Sequence, residues 1–248
     1  MSKIAIIAAM EREIAPLVRG WQRGTLPSSE RKFVVFDRDG VIAVVSGIGC
    51  KNAELAARAV VDQYRPALLI SVGLAGALIR SLKVGSVFTP NVVVDAADGA
   101  EYRCAADGNH VSGGVLVSAA EIARVEAKRA LVNRFHGLVV DMEAAGVARI
   151  AQQEQIGFRC VKAISDEADF TMPPMEKFLD ATGEFQNGKF ALWAALRPWQ
   201  WPRIAALARN SKRAISALSD RLRKDLASGL QSKEIVTLNR AEFLEAKH

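Results

Sequence analysis

Residues 67–76 read Ala-Leu-Leu-Ile-Ser-Val-Gly-Leu-Ala-Gly, an almost continuous apolar run that ends in glycines. The part from 67 to 72 predicts a strand buried on both faces, because a strand with one face in water alternates apolar and polar residues. Similar apolar runs alternate with helical patterns along residues 3–164. This alternation predicts an α/β fold, a single domain with a central mixed, largely parallel sheet flanked by helices.

The individual elements follow from periodicity and from turn residues such as Asp39-Gly40. The predicted strands span residues 3–8, 33–36, 41–45, 67–72, 86–94, 115–117, 138–140 and 158–164. The predicted helices span residues 11–18, 52–64, 121–132 and 144–153. We expect a catalytic domain at 1–185 and a C-terminal helical extension at 186–248 that contains a basic amphipathic helix.

Composition excludes several classes of protein. The 248 residues are 50% hydrophobic and 24% charged, the balance of a soluble globular protein whose core needs no metal or disulfide. Cys50, Cys104 and Cys160 form no CxxC pair, which argues against a zinc site or disulfide framework and favours a reducing compartment. No signal peptide is recognised, and the longest apolar stretch, residues 66–79, is too short to span a bilayer. A cytoplasmic location is therefore expected.

The positive charge is concentrated in one segment. The chain carries a net charge of +6, and residues 197–224 contain eight basic residues against one acidic residue. The remainder of the chain therefore sums to −1. Because the charge belongs to one segment and no base-reading motif is present, nucleic-acid binding is disfavoured.

Polar residues and glycines follow five of the predicted strands. Ligands of open α/β sheets bind beyond the carboxyl ends of the strands, so these segments should lie together. Glycines allow close approach to the backbone, and helix N-termini attract anions. We expect the carboxylates of Glu13, Glu143 and Asp166 to converge on one crevice. The five segments are residues 9–13, 46–49, 73–76, 141–143 and 165–167.

Each candidate also has a structural interpretation. Glu13 and Glu143 could complement the dipole of a helix N-terminus, and Asp166 with the serine before it could cap a turn. Met142 could simply fill the core. Cys50 stands at a helix start, where a thiol pKa can be lowered, although no histidine lies near it in sequence. The residues alone leave these alternatives open.

Five motifs in series carry a resemblance to a known family. They occupy residues 9–13, 46–49, 73–76, 140–144 and 163–169. In this order and spacing, the chain resembles the nucleoside phosphorylase and methylthioadenosine/adenosylhomocysteine nucleosidase superfamily over roughly residues 3–180. Each motif alone is weak, whereas five in series are specific.

The resemblance implies an enzyme that breaks the N-glycosidic bond between a base and ribose through a transition state with oxocarbenium character. Asp166 matches the acid that protonates purine N7, a role that needs raised proton affinity because aspartate ordinarily ionises near pH ~3.9. Glu13 matches the carboxylate that orients the attacking water. Met142 and Glu143 match the ribose-binding pair, and Gly76 matches a backbone contact to the base or sugar.

The matched motifs add Ser46, Gly49 and Ser165 as expected substrate-binding residues. The resemblance implies no metal and no organic cofactor, with phosphate open as a co-substrate whose charge Arg12 or Lys51 could balance. Members of the family are commonly homodimers or larger, so a homo-oligomer is expected.

Two departures from the family pattern affect the substrate. Leu74 stands where the nucleosidases have a serine, and Val72 and Leu74 replace an arginine and a serine of the purine phosphorylases. The nucleosidase stretch Ser-Gly-Asp-x-Phe, whose aromatic ring stacks on adenine, has no counterpart in residues 117–121. The phosphate site and the stacking residue are therefore not carried over, and water and phosphate both stay open as nucleophiles.

The C-terminal region resembles a subgroup, the hopanoid-associated phosphorylases, over residues 185–211. That resemblance implies removal of adenine from adenosylhopane. Independently, an apolar helical face follows Trp193, Trp199 and Trp201, with basic residues around it. Residues 199–224 could therefore contact an anionic membrane surface from the inner face, or pack on the domain or a partner with the basic face in water. The apolar face comprises Ile204, Leu207, Ala208, Ser211, Ile215, Leu218 and Leu222.

The leading hypothesis is cleavage of an adenosyl-type nucleoside with a large apolar 5′ group. We therefore expect a substrate that is linked to a lipid. The first alternative is a methylthioadenosine/adenosylhomocysteine nucleosidase. The second is a non-catalytic nucleoside- or lipid-binding protein, against which the presence of Glu13, Glu143 and Asp166 together argues, because a binder needs no acid.

Overall fold

The computed structural model describes residues 3–105, 113–178, 180, 183 and 185–228. Within them, the strands are β1 Ile4–Ala8, β2 Gln22–Pro27, β3 Lys32–Arg38, β4 Val41–Val45, β5 Leu68–Ala77, β6 Val87–Phe88, β7 Val92–Asp95, β8 Glu101–Arg103, β9 Val115–Ser118, β10 Gly137–Asp141 and β11 Gly157–Asp166. The helices are α1 Glu11–Ile14, α2 Cys50–Tyr64, α3 Val125–Phe135, α4 Ala144–Gln153, α5 Asn187–Ala195 and α6 Trp201–Ala227.

The strands form one mixed sheet around β5. Its order is β2-β3-β4-β1-β5-β10-β9-β7-β8, and β11 pairs with β5 and β6. The first part of β5 lies between β1 and β11, both parallel to it, while its last two residues pair with antiparallel β10. The prediction of a single α/β domain with a mixed, largely parallel sheet flanked by helices is confirmed.

Strand β5 is longer than its sequence predicts. The prediction that it ends at residue 72 and that 73–76 follow it is wrong, because the strand runs to Ala77 beside β11. The glycines serve close packing inside the strand. Gly73 has a φ of +147°, and a Cβ there would lie 3.2 Å from the Glu13 carboxylate. Glycine within a strand often marks such a close approach.

Several other boundaries differ from the predictions for physical reasons. The predicted strand 86–94 is two strands, β6 and β7, with Pro90 between them, because proline cannot donate a ladder hydrogen bond. Strand β2 was not predicted, since its Gln-Arg-Gly-Thr-Leu-Pro sequence is an exposed edge without alternation, and the short β8 was also missed. Helix α3 begins at Val125 rather than 121, and α1 ends at Ile14 rather than 18.

The helices cover both faces of the sheet. Helices α2 and α4 pack so closely that a Cβ on Gly146 would lie 2.2 Å from the Cys50 carbonyl oxygen. Helix α6 lies across β11 and α1, and it buries Ala214, Leu218 and Leu222 in the core that contains Ile14. Among the described helices, none is long and apolar enough to cross a membrane. The unpatterned stretch beyond residue 228 lies outside the described residues.

Candidate active site

A cavity of about 510 Å³ opens where β1, β5, β10 and β11 end. This volume lies in the usual range for small-molecule sites. Glu13, Met142, Glu143 and Asp166 all line it, together with Gly76. Glu13 and Asp166 lie more than 150 residues apart in sequence. They meet because the strands that precede them end at the same edge of the sheet, where ligands of open α/β sheets bind.

Glu13 lies at the end of α1 and is 3% exposed. Its Oε2 accepts a hydrogen bond from the Met10 backbone N–H at 3.0 Å, and its Oε1 accepts one from Leu74 N–H at 3.1 Å. Burial raises the pKa of Glu13, while Lys162 and the two backbone donors oppose that rise. The carboxylate is thus held rigidly against β5 at the wall of the cavity.

Glu143 immediately precedes α4 and is held by the backbone on both sides. Gly49 N–H donates to its Oε1 at 2.9 Å, and Met142 N–H donates to its Oε2 at 3.3 Å. Burial and then the nearby Asp141 carboxylate raise the pKa of Glu143 to about 7. The interpretation of Glu143 as a dipole-complementing acid is therefore incomplete, because the side chain lines the cavity.

Asp166, at the end of β11, is bound to a lysine that the sequence analysis did not single out. Lys128 Nζ, on α3, donates to Asp166 Oδ2 at 2.5 Å and to the Glu167 carbonyl oxygen at 2.9 Å. Ser165 Oγ donates to Asp166 Oδ1 at 2.9 Å. Lys128 lies in a helix rich in charged residues, and its partner Asp166 is 38 residues away in sequence. The residues around Lys128 in the sequence therefore give no indication that it is buried.

A second buried ion pair lies beneath the cavity. Lys162 Nζ is 2.8 Å from Asp141 Oδ2, and both side chains are almost completely buried. Burial lowers the pKa of Lys162, but the Asp141 carboxylate and its neighbours outweigh this and raise it. Asp141 also accepts hydrogen bonds from Ser118 Oγ at 2.6 Å and from Ala144 N–H at 2.9 Å. A lysine in the middle of the mostly apolar predicted strand 158–164 was the signal that could have revealed this pair.

The remaining candidates take different positions. Ser165 lines the cavity. Ser46 is not among the lining residues: it is fully buried, and its hydroxyl lies within hydrogen-bond distance of the Gly47 carbonyl oxygen at 2.8 Å and the Ala8 carbonyl oxygen at 3.2 Å. Gly49 acts through its hydrogen bond to Glu143. Arg12 lines the cavity, whereas Lys51 is exposed outside its lining.

The reactive-thiol interpretation of Cys50 is wrong. Burial, followed by the Asp95 carboxylate, raises the pKa of the Cys50 thiol to about 11. A thiol with a raised pKa is a poor nucleophile at neutral pH. Among the described residues, no group of three or more histidine, cysteine or acidic side chains is arranged to hold a metal ion.

Apolar side chains form a second part of the cavity lining, called here the apolar wall. Helix α6 supplies much of it through side chains spaced three or four residues apart, the spacing of one helical face. The segment before α6 supplies the rest. The wall consists of Met172, Met175, Phe185, Phe190, Ile204, Leu207, Ala208 and Ile215.

Comparison with known proteins identifies the family. Residues 3–108 and 96–189 match the family model described as the Phosphorylase superfamily. The chain belongs to the phosphorylase superfamily. The predicted resemblance to nucleoside phosphorylases and nucleosidases, and the prediction that the chain is an enzyme of this class, are confirmed. Similarity to the hopanoid-associated subgroup stays a prediction.

Relatives of this superfamily protein include nucleosidases. It is 31% identical over 202 residues to the 5′-methylthioadenosine/S-adenosylhomocysteine nucleosidase of Bacillus subtilis, covering 67% of this chain and 86% of the relative. A Helicobacter pylori structure of that enzyme type, a mutant with 5′-methylthioadenosine in the active site, aligns with a TM-score of 0.68 and 18% identity over 92% and 99% of the two chains. Futalosine hydrolase of the same organism aligns with a TM-score of 0.69 and 18% identity over 92% and 98%.

The raised pKa of Glu143 predicts a pH-dependent stability. The pKa of Glu143 is about 7 in the folded protein and lies above its ordinary value of 4.5. The folded protein therefore holds this proton more tightly than the unfolded chain. The resulting contribution to the free energy of unfolding is complete below pH 4.5 and is lost as the pH rises through 7. Each unit of pKa difference corresponds to about 1.4 kcal/mol. Glu143→Gln removes this loss, so the free energy of unfolding of the variant, relative to the wild type, should rise from pH 5 to pH 8.

Urea unfolding at the two pH values measures this difference. Glu30→Gln, which changes an exposed carboxylate in the β2–β3 turn, is the matched control and should track the wild type. A gap between Glu143→Gln and the wild type that is the same at both pH values would contradict the assignment.

Proposed function

We propose that this superfamily protein cleaves the N-glycosidic bond of an adenosyl-type nucleoside and releases adenine. We further propose that the preferred substrate carries a large apolar group at the 5′ carbon, as adenosylhopane does. One observation carries the proposal: a single cavity is lined both by three carboxylates and by apolar side chains of α6. The polar side chains suit the nucleoside, and the apolar side chains suit its 5′ substituent.

The polar side of the cavity provides a group for each chemical task. Asp166 lines the cavity and can deliver a proton to N7 of the leaving base. Glu143 lies beside Met142, so that its carboxylate can accept from the ribose hydroxyls while the thioether packs on the sugar. Glu13 can hold and deprotonate the attacking water. General acid and base catalysis of this kind contributes about 10²–10⁴-fold in rate each.

Charge favours water over phosphate as the nucleophile. Glu13 and Glu143 are buried acidic groups in the same cavity, and the Glu13 carboxylate is one of the groups that raise the pKa of Glu143. A phosphate dianion beside them would meet repulsion that low surrounding polarity strengthens. The cationic lining residues that the structure describes are Arg12 and Lys212, both exposed, and Lys128, which is already paired with Asp166.

The apolar preference rests on what replaces polar groups near the sugar. Leu74 lines the cavity, at the position where the nucleosidases carry a serine. Helix α6 and Phe185 then extend the apolar wall well beyond what a methylthio group needs. Buried methylene groups contribute about 0.8 kcal/mol each, so a long 5′ chain gains affinity here.

Hydrolysis of methylthioadenosine or adenosylhomocysteine is the second candidate function. The 31% identity to the Bacillus subtilis enzyme of that name favours it, as does the presence of Glu13 in the cavity lining. The two functions share one chemistry and differ in the length and polarity of the 5′ group.

A membrane surface would supply an apolar substrate. Leu192, Leu196, Trp199 and Trp201 are more than half exposed on α5 and the turn into α6. Phe190, on the same helix α5, lines the cavity. We therefore propose that residues 186–248 extend the catalytic domain at 1–185 and contact an anionic bilayer from the cytoplasmic side, through 199–224. Assembly into a homo-oligomer also stays a proposal.

Adenine release tests the reaction. Purified protein should release adenine from 5′-alkylthioadenosines without added phosphate, and Asp166→Asn should lower kcat about 10²–10⁴-fold. Asp169→Asn is the matched control, because Asp169 is an exposed carboxylate of the following loop that pairs with Arg80, and it should stay near wild-type activity. Folded wild-type protein that releases no adenine would refute the proposed function, and strict dependence on phosphate would refute water as the nucleophile.

Narrowing the cavity tests the apolar preference. Ala208→Trp places a large ring on the cavity face of α6, so kcat/KM for a decylthio substrate should fall. Excluding two or three methylenes, at about 0.8 kcal/mol each, corresponds to roughly a 10- to 100-fold loss. Methylthioadenosine should be affected far less.

The control is Ala205→Trp, which adds the same ring to an exposed position of α6 outside the cavity lining. Equal loss for the long-chain and short-chain substrates in Ala208→Trp would contradict the proposed location of the 5′ group.

Vesicle binding tests the membrane contact. The protein should sediment with vesicles containing phosphatidylglycerol and not with phosphatidylcholine alone. Leu196→Ala combined with Trp199→Ala should weaken binding, and Arg203→Ala should weaken it about fivefold, since one cation near the surface contributes about 1 kcal/mol. Arg38→Ala, an exposed arginine of β3 on the far part of the sheet, should change nothing. Equal sedimentation of all variants would contradict the contact.

A further inference from the structure

The pairing of Lys128 with Asp166 has no counterpart among the predicted site residues. Lys128 is 2% exposed, although it lies on α3 among residues that are mostly exposed. Its Nζ approaches both Asp166 Oδ2 and the Glu167 carbonyl oxygen, and its side chain lines the cavity. The lysine therefore stands at the point where the leaving base would receive its proton.

Burying this lysine is costly for stability. An ammonium removed from water is tolerated only when it is paired and hydrogen-bonded, and a buried ion pair often stabilises a fold no more than apolar residues of similar volume. A purely structural role would be served as well by leucine or methionine at this position. The pair therefore calls for a functional explanation, and its contact with the catalytic acid provides one.

The packing around the pair leaves little freedom. A Cβ on Gly76 would lie 2.8 Å from Asp166 Oδ2 and 3.3 Å from Lys128 Nζ. The β5 backbone is therefore so close to both groups that no side chain fits at position 76. Ser165 Oγ holds the other carboxylate oxygen at 2.9 Å. Both oxygens of Asp166 thus accept hydrogen bonds, one from an ammonium and one from a hydroxyl. Lys128 Nζ is therefore a proton donor in direct contact with this carboxylate.

We propose that Lys128 is a positioning residue that supplies, through Asp166, the proton taken by the leaving base. This inference rests on the proposed function. As the C1′–N9 bond breaks, its electron pair moves into the base, and N7 takes a proton from the Asp166 carboxyl group. That carboxyl group receives its proton from Lys128 Nζ, which becomes a neutral amine and later regains a proton from solvent water.

The low-dielectric surroundings favour this transfer. While Asp166 is ionised, its charge stabilises the buried ammonium of Lys128. Once Asp166 is neutral, the ammonium would be a buried charge without a counter-ion, which is strongly disfavoured relative to the neutral amine. The pair therefore keeps a net charge of zero while the proton moves from Lys128 to Asp166. It carries a charge of −1 only after N7 has taken the proton and until Lys128 regains one from solvent water.

Neighbouring charged groups are engaged elsewhere. Glu167 Oε2 accepts from Lys83 Nζ at 3.3 Å, and Asp169 Oδ2 accepts from Arg80 Nε at 2.9 Å, both at the exposed surface. Glu121 lines the cavity mouth and is exposed to solvent. Among the residues that the structure describes, Lys128 is the basic group paired with Asp166.

Two substrates with different leaving groups separate proton supply from structural support. Adenine must be protonated to leave, whereas 4-nitrophenolate leaves from a 4-nitrophenyl β-riboside without a proton. Lys128→Met should lower adenine release about 10²–10⁴-fold, and it should change 4-nitrophenolate release by about threefold or less. Lys83→Met, an exposed lysine that contacts the Glu167 side chain, is the matched control and should leave both rates near the wild type.

Lys128→Arg distinguishes proton supply from charge alone. An arginine keeps the ion pair with Asp166 but stays protonated in proteins. Adenine release should therefore remain low in Lys128→Arg while 4-nitrophenolate release is retained, which also reports that the site is intact. Full rescue of adenine release by arginine would overturn the proton-supply role.

The other outcomes are equally decisive. Equal loss of both activities in Lys128→Met would show that the lysine only supports the fold, and unchanged adenine release would show that it is not used. A wild-type protein that releases no adenine would overturn the proposed function together with this inference. The wild-type assay alone gives that result, so failure of the proposed function is distinguished from failure of the role of Lys128.

Discussion

The structure depends on the compensation of buried negative charge where the strands end. Asp141, Glu143, Glu13 and Asp166 approach one cavity, and so many carboxylates cannot be buried without donors. Lys162 neutralises Asp141 from beneath, backbone N–H groups hold the two glutamates, and a second lysine pairs with Asp166. Removing one buried partner would leave an uncompensated charge, which costs about 3–5 kcal/mol. The polar half of the cavity exists because these donors are in place.

Close backbone packing is what allows the donors to reach the carboxylates. Strand β5 runs through the centre of the sheet and ends against β10 and β11. Its glycines leave room for Glu13 on one side and for Asp166 on the other. A side chain at Gly73 or Gly76 would push a carboxylate away from its donors. The same residues that end the apolar strand therefore determine the geometry of the cavity.

Helix α6 belongs both to the packed core and to the lining of the cavity. Its C-terminal half packs on the sheet through Leu218 and Leu222, while its N-terminal half forms the apolar wall through Ile204 and Leu207. The two interpretations left open by the sequence, packing on the domain and contact with a membrane, are therefore compatible. Packing is observed for the second half, and the exposed aromatic residues precede the first. In the proposed function, substrate access and substrate fit would therefore involve the same segment.

The sequence by itself determined the α/β class, the central apolar strands and the set of three acidic residues, because continuous apolar runs and the order of polar motifs are local properties. It did not reveal Lys128 or Lys162 as partners of Asp166 and Asp141, which lie 38 and 21 residues away. Those pairs depend on strand register and on the direction in which a helix presents each side chain. Likewise, β5 extends through its glycines only because β11 pairs beside it. Local preference specifies elements, whereas tertiary packing decides which charges meet.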